Sequence, residues 1–564
     1  MLLQLVAALL TAAVGWLTWY AYGVYQKGQL LSGMPGPPRR PGLLNFVLGN
    51  IPDLAGSQNH FVQKQWSRQY GGIMKLRALD TYIAVVADPL IASELLRDKT
   101  LDKSRHAYQM LDAIFDDKGH SGLLTSQMTP HWRATRRAVA SSLSPQSLRT
   151  SFPKIRGVVD RLVQTLMSLG PVTPVDMDLM CAKLSWDIIG LVGFDTDMGA
   201  TQLSEQGQDA SSGVIATVRA GMKEIEMRFV QPFRHNVWRH IFPSARAGHR
   251  NLKKVHVLVR GLLKKLRQVD PESLGNTVAG QLLRMIDAST GKPLSDDVIM
   301  PEIATMFLAG FETSGHSEAW TLYLISQHPE VEERILQELA QHELMPGPHG
   351  AGRAIRLEDL SRLTYLNCVI KEALRLYPAV PAVDRIAPRD MHVGGYFIPK
   401  DTLFWIHMYT MQRLASVHED PDAFRPERWL EPSYVYATST APKAALPLQA
   451  SSDSSPGIAG SESDESWEDL GRNTPAIAEP VELSLRPKRW IPFSEGPRSC
   501  VGRALADMSM TGTLATLLAR FHFRLADKMG GPEGVHQSEE VAITLAPSHG
   551  LLMHVEPRHP STTA

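Results

Sequence analysis

The chain has 564 residues, of which 43% are hydrophobic and 21% charged, enough apolar material for a large core. Lys+Arg and Asp+Glu both total 58, so the formal net charge is zero, which argues against a nucleic-acid partner. The three cysteines, Cys181, Cys368 and Cys500, are odd in number and far apart, which argues against a disulfide framework and for a reducing compartment.

The first 26 residues carry no charged side chain. From Leu2 to Tyr25 the run is apolar and aromatic, with Trp16, Trp19, Tyr20, Tyr22 and Tyr25 gathered towards its far end. About 20 such residues cross a bilayer as a helix, and aromatic rings favour its interface. Residues 1–26 are therefore expected to form a transmembrane anchor. A cleaved signal peptide would have a shorter apolar run with a basic residue before it. Lys27, Arg39 and Arg40 follow, which puts the bulk of the chain on the cytosolic side. The stretch 27–52 contains Met34-Pro-Gly-Pro-Pro-Arg-Arg-Pro-Gly42 and reads as a stiff proline-rich hinge.

Residues 53–564 read as one mainly α catalytic domain. Helical spacing is expected over His131–Ser142, Lys154–Leu169, Leu179–Val192, Leu252–Val269, Asp296–Gln327, Pro329–Glu343, Thr364–Leu376 and Gly502–Arg520. Strands are expected at Ile73–Leu76, Tyr82–Val86, Val393–Ile398, Ala542–Leu545 and Leu551–Val555, with Ser548–Gly550 turning between the last two. Between them, 437–485 is rich in serine and acidic residues and reads as a disordered insertion, because it has too little apolar surface to offset chain entropy.

The most specific signal is Phe493-Ser-Glu-Gly-Pro-Arg-Ser-Cys500-Val-Gly502. A lone cysteine is usually a small buried hydrophobe. Here Gly496 permits a tight turn, Gly502 removes a side chain where the backbone must approach something flat and bulky, and the helix expected to follow places its positive end near Cys500. Arg498 is placed to reach an acidic group. A second signal is Lys371-Glu372-Ala-Leu-Arg375, where Glu372 and Arg375 share a helix face, with Arg428 in Pro426-Glu-Arg-Trp429. A third is Ala309-Gly310-Phe311-Glu312-Thr313 in mid-helix, where a glycine costs about 1 kcal/mol and needs a reason. Close helix packing is the plain one. Trp132 and Arg136 lie four apart on one helix face, and Arg385 follows Pro378 and Pro381.

Over about Pro35 to His554 these motifs resemble the cytochrome P-450 superfamily. The resemblance implies the P-450 fold, a large helical domain with a small β-rich region. It also implies haem b with its iron on Cys500, and a loop whose fixed positions here are Phe493, Gly496, Arg498, Cys500 and Gly502. By the same resemblance Trp132, Arg136, Arg385 and Arg498 hold the haem propionates. Glu372, Arg375 and Arg428 lock the proximal side, and Glu312 and Thr313 relay protons. The departures are the insertion after Trp429 and Gln412, where many relatives have histidine. Segments implied to line the substrate pocket are 106–124, 222–242, 303–311, 379–383 and 547–550.

The implied activity is insertion of one oxygen atom from dioxygen into a small hydrophobic substrate. No flavin or dinucleotide fingerprint occurs, so electrons must come from a partner. With the anchor, the resemblance points to an NADPH-dependent flavoprotein reductase at the endoplasmic reticulum. A haem-thiolate isomerase or dehydratase needing no reductase is the alternative enzyme, and a membrane haem carrier or sensor the non-enzymatic one. The Glu312-Thr313 pair argues against both.

Overall fold

Helical spacing over most of the chain and short β-branched runs elsewhere divide the structure into a large helical region and several small sheets. The computed structural model describes residues 2–115, 118–202, 210–231, 234–287, 290–346, 352–431, 489–541 and 543–558. The predicted insertion at 437–485 lies outside the described residues.

The helices that position the site are α1 (Leu2–Leu30), α2 (Leu43–Leu48), α3 (Pro89–Arg97), α4 (Pro130–Ser142), α5 (Pro145–Leu169) and α6 (Met177–Phe194). They continue as α7 (Ala210–Val230), α8 (Pro243–Leu266), α9 (Asp296–Ser326), α10 (Pro329–Gln341), α11 (Thr364–Leu376) and α12 (Arg503–Arg520). The strands are β1 (Ile73–Ala78), β2 (Thr81–Val86), β3 (Val175–Asp176), β4 (Val383–Ile386), β5 (Met391–Val393) and β6 (Tyr396–Ile398). Then come β7 (Leu403–Ile406), β8 (Phe521–Leu525), β9 (Glu539–Val541), β10 (Leu545–Pro547) and β11 (Leu552–Pro557). Sheet order is β1-β2-β7-β4, β3-β11-β8, β10-β9 and β5-β6.

Helix α1 covers residues 2–26 of the predicted anchor and runs on to Leu30. Its last turns dock on protein. Tyr20 and Val24 are buried; the Tyr20 hydroxyl donates to Val47 O at 2.6 Å and accepts from Arg77 at 2.9 Å. Trp16, Trp19, Tyr22 and Tyr25 remain exposed. Among the described residues no helix is long and apolar enough to cross a membrane. Gln4, Thr11 and Thr18 interrupt the apolar run of α1. The predicted hinge is partly regular, since α2 falls inside it.

Helix α9 is the axis of the helical region and is buried on nearly every face from Ile299 to Ile325. It lies so close to α6 that a Cβ on Gly310 would come within 2.9 Å of Ile189 Cγ1, and one on Gly315 within 2.8 Å of Ala182 Cα. Close packing therefore accounts for both mid-helix glycines. Aromatic rings lock the same seam: Phe194 stacks on Phe307 at 4.6 Å, and Trp186 meets Phe311 edge-on at 5.2 Å.

Several expectations need correction. Helix α5 begins at Pro145, not Lys154, because Ser144 caps it and the chain stays helical through Pro153, held by buried Phe152 and Ile155. Helix α8 begins at Pro243 rather than Leu252, with proline in its first turn, where no donor is lost. Helix α7 was not expected; its sequence opens on Ala-Ser-Ser-Gly without clear apolar spacing. The strand expected over Val393–Ile398 is a hairpin, β5–β6, turned by Gly394 and Gly395 at φ 57° and 84°. The last two strands do not pair with each other: β10 pairs with β9, and β11 with β8 and β3. Gly550 (φ 71°) carries the chain between those sheets beside Asp176, whose carboxylate accepts from Leu551 N at 2.9 Å.

Gly315→Val should drive its side chain into the α6 backbone, which cannot yield as a flexible side chain would. The expected loss is about 1–3 kcal/mol of unfolding free energy, read by urea denaturation.

Candidate active site

The cysteine loop is bolted at both ends. Cys500 N donates to Phe493 O at 2.8 Å, closing it, and Gly502 precedes the first turn of α12. At its middle, Gly496 has φ 69°, and a Cβ there would collide with Leu96 O at the end of α3. Beside it Glu495 accepts from Ser93 Oγ at 2.7 Å and pairs with Arg97 at 3.3 Å. Cys500 lies deep among protein atoms, yet the residue is accessible, so it faces internal space. Burial pushes its thiol above the usual range, while the Gly502 amide, Arg136 and Arg503 pull it down. A Cβ on Gly502 would meet only the Cys500 sulfur, at 3.9 Å, so that side also borders open space.

Next to the loop is a buried cluster with more cations than acids. The Arg498 guanidinium lies over the Trp132 ring at 4.2 Å, donates to Asp102 at 2.5 Å and also donates to Ser126 O. Trp132 donates its indole N–H to Leu123 O at 3.0 Å, and Arg136 donates to Ser499 O at 2.9 Å. Arg385, 1% exposed, donates to Asp384 O at 2.6 Å, while its Nη2 has no partner. The four residues predicted here are thus brought together. Sequence reasoning missed Lys103, which is buried, donates to Leu124 O at 2.6 Å and lies over the Tyr108 ring at 4.2 Å. Burial, then Arg498 and Arg385, holds Lys103 well below the usual lysine range, and burial lifts Asp384 to about 6. Among the described residues Asp102 and Asp384 are the acids facing Lys103, Arg385 and Arg498, and the unpartnered Nη2 of Arg385, a group that stays charged, suits an added anion.

On α9, Ala309 is exposed amid buried neighbours, and Thr313 is partly exposed. The Thr313 hydroxyl donates back to Ala309 O at 2.6 Å; Ser317 repeats the bond to Thr313 O at 2.7 Å, and Thr321 to Ser317 O at 2.6 Å. Glu312 is buried, and burial pushes its carboxyl up, against the pull of His316 and Arg219. It accepts from Thr544 at 3.2 Å and pairs with Arg219 of α7 at 3.6 Å. Arg219 also binds Asp178 at 2.8 Å, and Asp178 shares a hydrogen bond with His316. Arg219, Asp178, His316 and Thr544 carried no sequence signal, except that His316 lies one turn from Glu312.

The Glu372 carboxylate on α11 is saturated. One oxygen accepts from Arg375 (2.8 Å), Arg428 (3.0 Å) and Arg425 N (3.0 Å), the other from Arg375 (2.8 Å) and Trp429 (2.8 Å). Arg375 extends the lock to Gln412 O at 2.8 Å, Pro421 O at 2.6 Å and Ala423 O at 2.9 Å. Gln412 is more than a haem-edge detail: it is buried, and its side chain accepts from Ile491 N at 3.1 Å, tying α11 to the chain entering the cysteine loop. Trp490 donates to Lys371 O at 2.9 Å and stands between Trp429 and Phe493, with ring centroids 6.4 and 6.0 Å away. Glu372→Ala would strand two buried guanidiniums, so a loss of about 3–5 kcal/mol is expected in chemical unfolding.

A haem fits these residues. The accessible sulfur of Cys500 is a thiolate donor in waiting, Gly502 leaves room for a flat ring, and the unpartnered Arg385 Nη2 and excess cations suit its carboxylates.

A family model described as Cytochrome P450 matches residues 36–447 and 475–552; the residues it skips lie within the predicted insertion. The chain is similar to Cytochrome P450 97B2, chloroplastic, of Glycine max, 26% identical over 522 residues, 88% of this chain and 82% of that one. It is also similar to Cytochrome P450 4d2 of Drosophila melanogaster, 26% identical over 547 residues, 93% of this chain and 94% of that one. Cytochrome P450 27C1 of Danio rerio is 23% identical over 535 residues, 93% and 85% of the two chains. With a family match over most of its length, the chain belongs to the cytochrome P450 family, haem-thiolate monooxygenases that hold haem b through a cysteine thiolate.

Proposed function

We propose that this monooxygenase oxidises a small hydrophobic molecule, with Cys500 as the iron ligand and electrons from NADPH through a separate flavoprotein reductase. The observation that carries the reading is the setting of Cys500: accessible within dense protein, at the start of α12, beside the buried guanidiniums of Arg385 and Arg498. When bound, the haem supplies the iron that activates dioxygen.

The protein's part is binding, orientation and proton supply. Arg498, Arg385, Arg136 and Lys103, with Trp132 beneath, would hold the haem carboxylates, and Arg385 Nη2 is the donor left open for one of them. Phe493 and Gly502 would border the ring. Glu372, Arg375 and Arg428 would keep the proximal side rigid. Thr313, its hydroxyl turned back onto its own helix, would order the last proton donor beside Ala309, with Glu312 behind it as the acid.

Residues 1–26 would anchor the chain in the endoplasmic reticulum membrane, with the catalytic domain cytosolic. The exposed Trp16, Trp19, Tyr22 and Tyr25 support this, since such rings favour the interface.

Cys500→Ser should abolish the red-shifted thiolate band of the ferrous–carbon monoxide spectrum; a surviving band would falsify the ligand assignment. Thr313→Ala should keep haem content while NADPH consumption continues and product per NADPH falls at least about tenfold, with peroxide released. An unchanged ratio, or a loss of haem in step with activity, would leave Thr313 as a packing residue.

A further inference from the structure

Glu312 is buried, whereas Thr313 beside it is partly exposed, so the acid is turned towards other elements. One of its oxygens accepts from the Thr544 hydroxyl at 3.2 Å, a residue outside every segment of the recognised motif. Thr544 is buried, and it is the last residue before β10. Its neighbour Leu545 has both backbone groups bonded: the N–H to Ala379 O at 2.9 Å, and the carbonyl to the Trp320 indole at 3.1 Å. Trp320 belongs to α9, two turns beyond Glu312. The donor is therefore fixed relative to the helix that carries the acid. A fixed hydroxyl selects one carboxylate orientation and favours its charged form.

We propose that Thr544 is a positioning residue for Glu312, setting both where its carboxylate points and how readily it gives up its proton. The proposal rests on the proton-delivery reading of Glu312 given above. Four groups face this carboxylate: Thr544 from the β9–β10 hairpin, Arg219 from α7, His316 from its own helix and Asp178 from α6. Burial and Asp178 oppose its ionisation, while His316, Arg219 and Thr544 support it. Thr544 is the uncharged member of this set, so it can be altered without changing the local charge. Loss of its hydroxyl favours the protonated acid, and the Glu312 titration moves to higher pH.

The test is a pH titration of the full-length haem-loaded enzyme by infrared difference spectroscopy. The carbonyl stretch of the protonated acid is assigned to Glu312 by its loss in Glu312→Gln. In Thr544→Val, which keeps the shape, the midpoint should move upward, a rise of roughly tenfold in proton affinity. Thr544→Ser should return it towards the parent value. An unmoved midpoint in Thr544→Val, or in Thr544→Ala should the valine variant fail to fold, overturns the proposal. So does a serine variant that behaves like valine. Peroxide release during NADPH oxidation without added substrate tests the relay separately. If Glu312→Gln leaves it unchanged while the Thr544 variants move the band, the relay reading fails and the positioning stands.

Discussion

The saturated Glu372 carboxylate is the constraint on which the rest of the site depends. Two guanidiniums, an indole and a backbone amide converge on two oxygens, and all of the side chains involved are buried. Such a group tolerates little: each donor offsets the desolvation of the carboxylate, and the carboxylate in turn offsets that of the cations. Because Arg375 also binds the carbonyls of Gln412, Pro421 and Ala423, the lock fixes a stretch of irregular backbone that no regular element supports. Gln412 passes that order on to Ile491, and so to the loop presenting Cys500.

Two polar clusters flank the centre and differ in kind. Around Glu312 the charges balance, since Arg219 and His316 face Asp178 and Glu312, and each acid has a partner on another element or the next turn. That cluster is complete as protein. In the cluster of Lys103, Arg385 and Arg498 the balance is tighter: among the described residues Asp102 and Asp384 are its acids, and burial beside two guanidiniums holds Lys103 well below the usual lysine range. A buried cation short of opposite charge either tends to lose its proton, as Lys103 is pushed to do, or takes an anionic partner. The contrast is between a cluster whose charges are matched by its own groups and one rich in cations.

Much of this was legible in the sequence because the chemistry is local. The turn before Cys500, the spacing of Glu372 and Arg375 and the Ala309–Thr313 motif each sit within ten residues, and helix α11 spans the expected Thr364–Leu376. What was not legible depends on partners far along the chain. Thr544 meets Glu312, Arg219 meets Asp178, and Asp102 meets Arg498, pairings that no periodicity announces. Gly310 illustrates the limit: its rarity in mid-helix was visible, but its reason, the approach of Ile189, belongs to another helix. Strand pairing failed for the same cause, since β3 lies far from β11 in sequence yet beside it in space.

The paired rings of Trp429 and Trp490 have a topological consequence. They stand 6.4 Å apart, so two points far apart in sequence, on either side of the stretch the family match interrupts, meet in space. Among the described residues the contacts that seat the cysteine-bearing piece are non-covalent, and include Trp490 on the Lys371 carbonyl, Ile491 on Gln412, Arg498 on Asp102, and β11 against β3. These contacts join the segment that carries the cysteine to the segment that carries helix α9 without drawing on the intervening chain.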